Sequence, residues 1–298
     1  NVKVLRPNGM MEETNRPILI EDLLTHRSGM SYGFNRFCAI GQLYANQNLI
    51  KKASLNLKDF VEEIASYPLA FHPGSGWRYS LATDVLARIL EIIFNDSIDL
   101  ILFKEIFCQL EMLETSYSIP KNKMNRVMPI CGEANLDKIT EPKAFTNNFK
   151  FINLDKFYPS DGKTVRPRGG HGLFSTVSDY QKFANMLLTG KSNSGKRLVS
   201  KNMLKFALKN RISKNQRPMF VDVTPLDGYG WNFLGRIMKK PNKSLQLANK
   251  GEFGWAGAAT TYFWIDPKLD LSGVVMSQVL GTTLPLGAEI KAKTYSVI

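Results

Sequence analysis

Apolar positions in this chain follow two spacings, and the change between them predicts the architecture. In the first two-thirds they recur three and four apart, the signature of helices with one buried face. Leu57 to Ser66 has this spacing and stops before Pro68, where proline limits continuation. From Leu81 onward Val85, Leu86, Ile89, Leu90 and Ile93 form one stripe, with Ser80 or Thr83 as cap and Asn95-Asp96 as the end. A further helix is predicted over Ile98 to Phe107. Ser178 followed by Gln181 spells a capping box before Phe183, Met186, Leu187 and Leu188, and Gly190 is the stop signal. Ser200 to Lys209 is the last helix of this part.

After Met219 the pattern changes to strands. Leu245 to Ala248, Thr260 to Ile265 and Leu271 to Gln278 are the candidates, the last two joined by a turn at Asp266-Pro267-Lys268. Leu284 to Ile298 is predicted to close the chain as a helix. Helices first and strands last predict an α+β protein with an antiparallel sheet. The division falls at residues 1–215, mainly helical, and 216–298, the C-terminal strands and helix. Residues 120 to 170 give few periodic signals and are left unassigned.

Composition narrows the class. The chain is 44% hydrophobic and 22% charged over 298 residues, as expected of a globular protein able to bury a large core. Cys38, Cys108 and Cys131 are odd in number and widely spaced, which predicts buried thiols rather than a disulfide framework. His26, His72 and His171 form no ligand motif, so no metal site is expected; no organic cofactor is expected either. A chain opening at Asn1 is expected to be processed or truncated.

The net charge of +13 is concentrated in residues 182–217, which hold ten Lys or Arg and no Asp or Glu. A solvated face is the default reading there, and attraction to an anionic surface the sharper one. Neither aromatic interleaving nor a nucleic-acid motif accompanies the segment, so no nucleic-acid partner is expected.

Four ordered segments then carry a resemblance. They are ILIEDLLTHRSGMSYGF (Ile18 to Phe34), FHPGSGWRYSLATDVLARILE (Phe71 to Glu91), RGGHGLFSTVSDYQKFANMLL (Arg168 to Leu188) and KGEFGWAGAATTYFWIDP (Lys250 to Pro267). Together they resemble the serine β-lactamase and penicillin-binding-protein superfamily, most closely its family VIII carboxylesterases, which are related to class C β-lactamases. The resemblance implies a β-lactamase/transpeptidase-like fold, a helical lobe and an antiparallel sheet flanked by terminal helices, as interleaved parts of one catalytic domain. It also implies that the N-terminal strands and the helix bearing a Ser-x-x-Lys nucleophile lie outside this chain.

By the same resemblance Tyr79 is the base, and the backbone N–H of Ala258 is an oxyanion donor. Ser80, Leu81, Trp255, Ala256, Gly257 and His171 line the substrate site, with Trp255 opening the active-site strand formed by Gly254 to Ala258. His26 shapes the fold rather than performing the reaction. A tyrosine acting as base near neutrality must be shifted down by roughly three units, about 4 kcal/mol of differential stabilisation. The family's source of that shift is the Lys of Ser-x-x-Lys, so without it Tyr79 is expected to stay protonated.

Two spellings of Ser-x-x-Lys do occur, Ser118 to Lys121 and Ser160 to Lys163, and both fall in loop contexts. Trp255 stands where β-lactamases of this group carry Lys or His, and Leu81 replaces an Asn. Both departures favour an uncharged ester substrate over a β-lactam carboxylate. The expectation is a serine carboxylesterase or acyltransferase acting on a small-molecule ester through an acyl-serine, with this chain alone inactive. The alternatives are a catalytically silent binding module for acyl or cell-wall ligands and, third, a β-lactamase.

Overall fold

The computed structural model describes residues 2–52, 54–133, 135–140, 150–153, 166–282 and 286–298. The chain begins with a hairpin of β1 (Lys3–Leu5) and β2 (Met11–Glu13). Helices α1 (Ile20–Leu24), α2 (Ala39–Asn46), α3 (Leu57–Ala65), α4 (Ala82–Phe94) and α5 (Ile98–Leu102) follow. Short strands β3 (Ile130–Gly132) and β4 (Phe151–Ile152) precede helices α6 (Val177–Thr189) and α7 (Lys201–Ala207). The hairpin of β5 (Phe220–Val221) and β6 (Thr224–Pro225) leads into β7 (Tyr229–Asn232), β8 (Gly235–Met238) and β9 (Phe253–Ala256). Then come β10 (Tyr262–Asp266), β11 (Leu271–Val275), β12 (Val279–Leu280) and α8 (Leu286–Tyr295).

Strands β7 to β11 form one five-stranded antiparallel sheet in sequential order. Its side chains alternate between two faces, as the period of two requires. Ile237, Phe253, Phe263 and Ile265 pack in one cluster with Ala184 and Leu187 of α6. Tyr262 and Asp266 turn to the opposite face, where the Tyr295 hydroxyl of α8 donates to Asp266 at 2.6 Å. Lys291 of α8 forms a fully buried ion pair with Glu252 beside that face. A second cluster, with Met30, Tyr32, Phe34, Tyr44 and Phe60, holds the helical part together.

Local chemistry explains the helix limits. Asn56 caps α3 by accepting from the Asp59 N–H at 2.9 Å. Asn95 ends α4 in the left-handed conformation, φ 51°. The cap of α6 is Thr176, not Ser178: Thr176 has extended backbone and its hydroxyl oxygen accepts from the Asp179 N–H at 3.1 Å. The helix expected over Ile98 to Phe107 is α-helical only to Leu102 and continues as a wider π turn from Phe103 to Phe107.

Two strand expectations are corrected. Leu245 to Ala248 is not a strand. Gln246 turns inward instead, its Oε1 accepting from the Tyr229 hydroxyl at 3.2 Å and the Arg236 guanidinium at 3.3 Å, while Leu245 is left fully exposed. The active-site strand runs from Phe253 and ends at Ala256, so Trp255 lies near its end rather than its start. Gly257 and Ala258 belong to the turn into β10, closed by the Gly257 N–H donating to the Thr261 carbonyl at 2.8 Å.

Candidate active site

Tyr79 stands at the entrance to α4, in a ring of aromatic side chains. His26 lies 4.7 Å from it between ring centroids, Trp255 5.0 Å, Tyr32 5.2 Å, Trp231 6.3 Å and Phe34 6.4 Å. The Tyr79 carbonyl accepts from the Asn35 side-chain amide at 3.0 Å, which fixes the backbone ahead of the helix. On the phenol itself, the Trp255 indole Nε1–H donates to Oη at 3.1 Å. Trp255 in turn packs edge-on to Trp231 at 4.6 Å.

Burial dominates the acidity of this phenol and holds its pKa above the ordinary tyrosine value. The indole hydrogen bond opposes that shift, because it favours the phenolate, and the nearby Asp84 charge reinforces it. Tyr79 is therefore a neutral phenol here, able to donate a proton but not poised to take one.

Ser80 and Leu81 lie beneath Tyr79, both fully buried. The Leu81 N–H donates to the Ser31 carbonyl at 3.1 Å. The Ser80 hydroxyl sits 3.2 Å from His26 Nδ1. A serine bonded to a histidine has the parts of a nucleophile and base. Here both are sealed from solvent, and burial pulls the His26 pKa down to about 3, so the imidazole is neutral. The pair anchors the base of Tyr79. His26 has left-handed backbone, φ 55°, which turns the chain out of α1 and seats its ring against Tyr79 and Trp231.

Ala256, Gly257 and Ala258 are exposed at the end of β9, next to the Trp255 wall. A Cβ on Gly257 would come within 2.1 Å of the Thr261 hydroxyl, so the turn is close-packed on its inner side.

His171 is placed by a different contact. Gly169 and Gly170 donate their N–H groups to one Asp84 oxygen at 3.0 and 3.3 Å, tying this turn to the first turn of α4. A Cβ on Gly170 would sit 2.9 Å from the Tyr32 hydroxyl, so the turn abuts the Tyr79 cluster through Tyr32. His171 follows that turn, its pKa lowered to about 3 by burial and by the Arg168 charge. Asp84 is fully buried, and its pKa is raised to about 6 because burial outweighs the two backbone donors and Arg168.

Sequence reasoning missed Trp231, Trp77 and Asp84. The Trp77 ring is 5.2 Å from Trp231 and 6.2 Å from His26, and its indole N–H has no hydrogen-bond partner among the described residues. The signal for Trp231 was the alternation of Tyr229 and Trp231 ahead of the Asn232–Gly235 turn, a strand too short and glycine-rich to stand out. Ser118 and Lys121 do not share a buried helix face, since Lys121 is exposed at the start of a 3-10 turn. Ser160 to Lys163 lies outside the described residues. Among the described residues no group of three His, Cys, Asp or Glu is gathered to hold a metal ion.

Against known proteins, a family model described as Beta-lactamase matches residues 10–293. An uncharacterised protein of Mycobacterium tuberculosis is 27% identical over 269 residues, covering 86% of this chain and 61% of that protein. This chain thus spans less than two-thirds of that relative's length. A lovastatin esterase of Penicillium rubens is 27% identical over 291 residues, covering 93% of this chain and 67% of the esterase. Among solved structures, EstCE1, described as a hydrolase with promiscuous acyltransferase activity, superimposes with a TM-score of 0.76 at 19% identity, over 98% of this chain and 74% of its own. That likeness shows the fold.

Proposed function

This chain belongs to the β-lactamase family, and from that premise we propose that it is the tyrosine-bearing part of a serine carboxylesterase or acyltransferase. The observation that carries this reading is the hydrogen bond from Trp255 to Tyr79 inside an uncharged aromatic wall. An indole offers one donor and a broad apolar face, and no charge to select a substrate carboxylate. Such a wall suits the acyl or alcohol part of an ester. The lovastatin esterase and EstCE1 lend support, as proteins named for ester hydrolysis and acyl transfer.

In this reading a Ser-x-x-Lys segment outside these residues supplies the nucleophile. Its ammonium lowers the Tyr79 phenol by roughly three units, about 4 kcal/mol, against the burial that raises it. Tyr79 takes the serine proton as Oγ attacks the ester carbonyl, and the Ala258 N–H stabilises the oxyanion. The phenol then returns the proton to the departing alkoxide. Water or a second alcohol, deprotonated by the same tyrosine, releases the acyl group. Ser80 and Leu81, being buried, support Tyr79 rather than touch substrate.

The alternative, a binding module for acyl ligands, draws on the neutral state of Tyr79. Intact-mass measurement after treatment with a fluorophosphonate separates the two. One label on the full-length protein, none on the 298 residues alone, together with hydrolysis of p-nitrophenyl butyrate, supports the esterase. Ligand binding with no label on either supports the module. A label on the 298-residue chain would overturn the account of the nucleophile.

A further inference from the structure

The outward face of α7 combines unmatched positive charge with exposed apolar side chains. Lys201, Lys205 and Lys209 recur every fourth residue along one side of α7 and its last turn, and all three are exposed. Among the described residues, the ion pairs of segment 182–217 are Lys182 with Asp179 and Arg211 with Glu21. The three α7 ammoniums have no carboxylate partner among those residues.

Phe206, 47% exposed, lies three residues from Lys209 and adjoins that end of the row, and Met203, 57% exposed, lies three residues from Phe206 on the side of the helix away from Lys201 and Lys205. Phe206 is held in place. The Arg211 guanidinium lies 4.5 Å from its ring centroid and 4.5 Å from that of Phe233, and the Lys209 ammonium lies 5.9 Å away. On the other flank of the lysine row runs an open groove floored by Leu188, Leu204 and Leu208, with Asp270 at its edge.

An aromatic ring and a thioether on a convex helix, bordered by cations, match the boundary between phospholipid headgroups and acyl chains. We propose that the α7 face, through Lys201, Lys205, Lys209, Met203 and Phe206, docks this protein on an anionic phospholipid surface. The ammoniums meet headgroup phosphates, and Phe206 and Met203 enter the interfacial layer. An acidic protein is the rival occupant, and the polyglutamate comparison separates the two.

The position of the face adds a consequence. The Arg211 N–H donates to the Trp231 carbonyl at 2.8 Å, and the Phe233 N–H to the Ala207 carbonyl at 3.1 Å. The docking face is thereby bonded to the hairpin that supplies part of the aromatic wall at Tyr79. Docking would bring that wall near acyl esters dissolved in the lipid; this one consequence rests on the esterase reading, and the docking does not.

Co-sedimentation of the full-length protein with vesicles tests it. Vesicles of phosphatidylcholine mixed with phosphatidylglycerol should bind the protein, and pure phosphatidylcholine should not. Each ammonium near such a surface contributes about fivefold to partitioning, so K201Q/K205Q/K209Q should bind roughly a hundredfold more weakly. Phe206→Ser should weaken binding several-fold at unchanged charge, and salt should weaken it further. K58Q/K121Q/K240Q, which removes the same net charge elsewhere, should bind like the parent, and circular dichroism confirms that each variant is folded. Equal loss in that control, or no loss in the α7 triple, overturns the proposal. So does binding to soluble polyglutamate as tight as to vesicles and insensitive to Phe206→Ser, which would assign the face to an acidic protein. Because no ester is used, failure here leaves the esterase reading intact, and loss of that reading leaves this one standing.

Discussion

The Trp255 indole donates its N–H to the Tyr79 phenolic oxygen across 3.1 Å, joining two motifs 176 residues apart in sequence. This bond ties the sheet to the helical part, because Trp255 belongs to β9 and Tyr79 to the entrance of α4. It is also the favourable influence on a phenol that burial otherwise keeps protonated.

Trp255→Phe keeps most of the apolar wall and removes only the donor. The phenolate loses its hydrogen bond, so the Tyr79 pKa is expected to rise further, with a stability loss of about 1 kcal/mol. Ultraviolet tyrosinate titration, assigned by subtracting the Tyr79→Phe spectrum, checks the first. Urea denaturation checks the second. An unchanged or lower Tyr79 pKa would show that the bond does not act on the phenolate.

Tyr79→Phe separates fold from chemistry. The fold should lose no more than about 1 kcal/mol, since one hydrogen bond goes and the ring packing stays. Turnover of an ester by the full-length protein should fall about 10²- to 10⁴-fold, the usual contribution of a general base. Unaltered turnover in the phenylalanine variant would remove Tyr79 from the mechanism.

Asp84 gives a pH dependence with a definite sign. Its folded pKa of about 6 lies above its ordinary value of 3.8, so the folded state holds the proton more tightly than the unfolded chain. Stability from this group is complete below about pH 4 and is lost as pH rises to about 6, by about 3 kcal/mol. Asp84→Asn has no such titration. Its stability relative to the parent should therefore improve from pH 4 to 6 and level off above that. Chemical denaturation across this range measures the gap, and a gap independent of pH contradicts the assignment.

The Glu252–Lys291 pair ties α8 to the sheet with both side chains fully buried. Burial pushes the Glu252 carboxyl up and the Lys291 ammonium down, so each charge depends on the other. Lys291→Met should cost about 3–5 kcal/mol, because a lone buried carboxylate remains. Adding Glu252→Gln to it should recover part of that loss. Denaturation midpoints of the two singles and the double decide, and strict additivity would mean the pair is not coupled.

Much of the helical part was legible in the sequence, and the reason is local. The α3 and α4 stripes recur within a few residues, and Asn95 marks an end whose chemistry needs no distant partner. The cap expected of Ser80 or Thr83 is absent, the N-cap of α4 being Leu81 with no side-chain bond. The four motif segments likewise identified the family through short strings of residues. Where a distant group decided the outcome, local reading failed. Leu245 to Ala248 alternates like a strand, yet the buried Arg236 and Tyr229 draw Gln246 inward and the leucine is turned out. Trp255 extended an apparent strand that ends where the Gly257 N–H meets the Thr261 carbonyl.

The sequence by itself determined several of the helices, the family and the two motifs that carry Tyr79 and Trp255. Only the tertiary structure decided their environment. It brought His26, Tyr32, Phe34 and Trp231 around the phenol, sealed Ser80 against His26, and set Asp84 under the glycine turn that leads to His171. The acidity of a phenol or carboxyl depends on the water it loses and the charges it gains, and both come from residues far away along the chain.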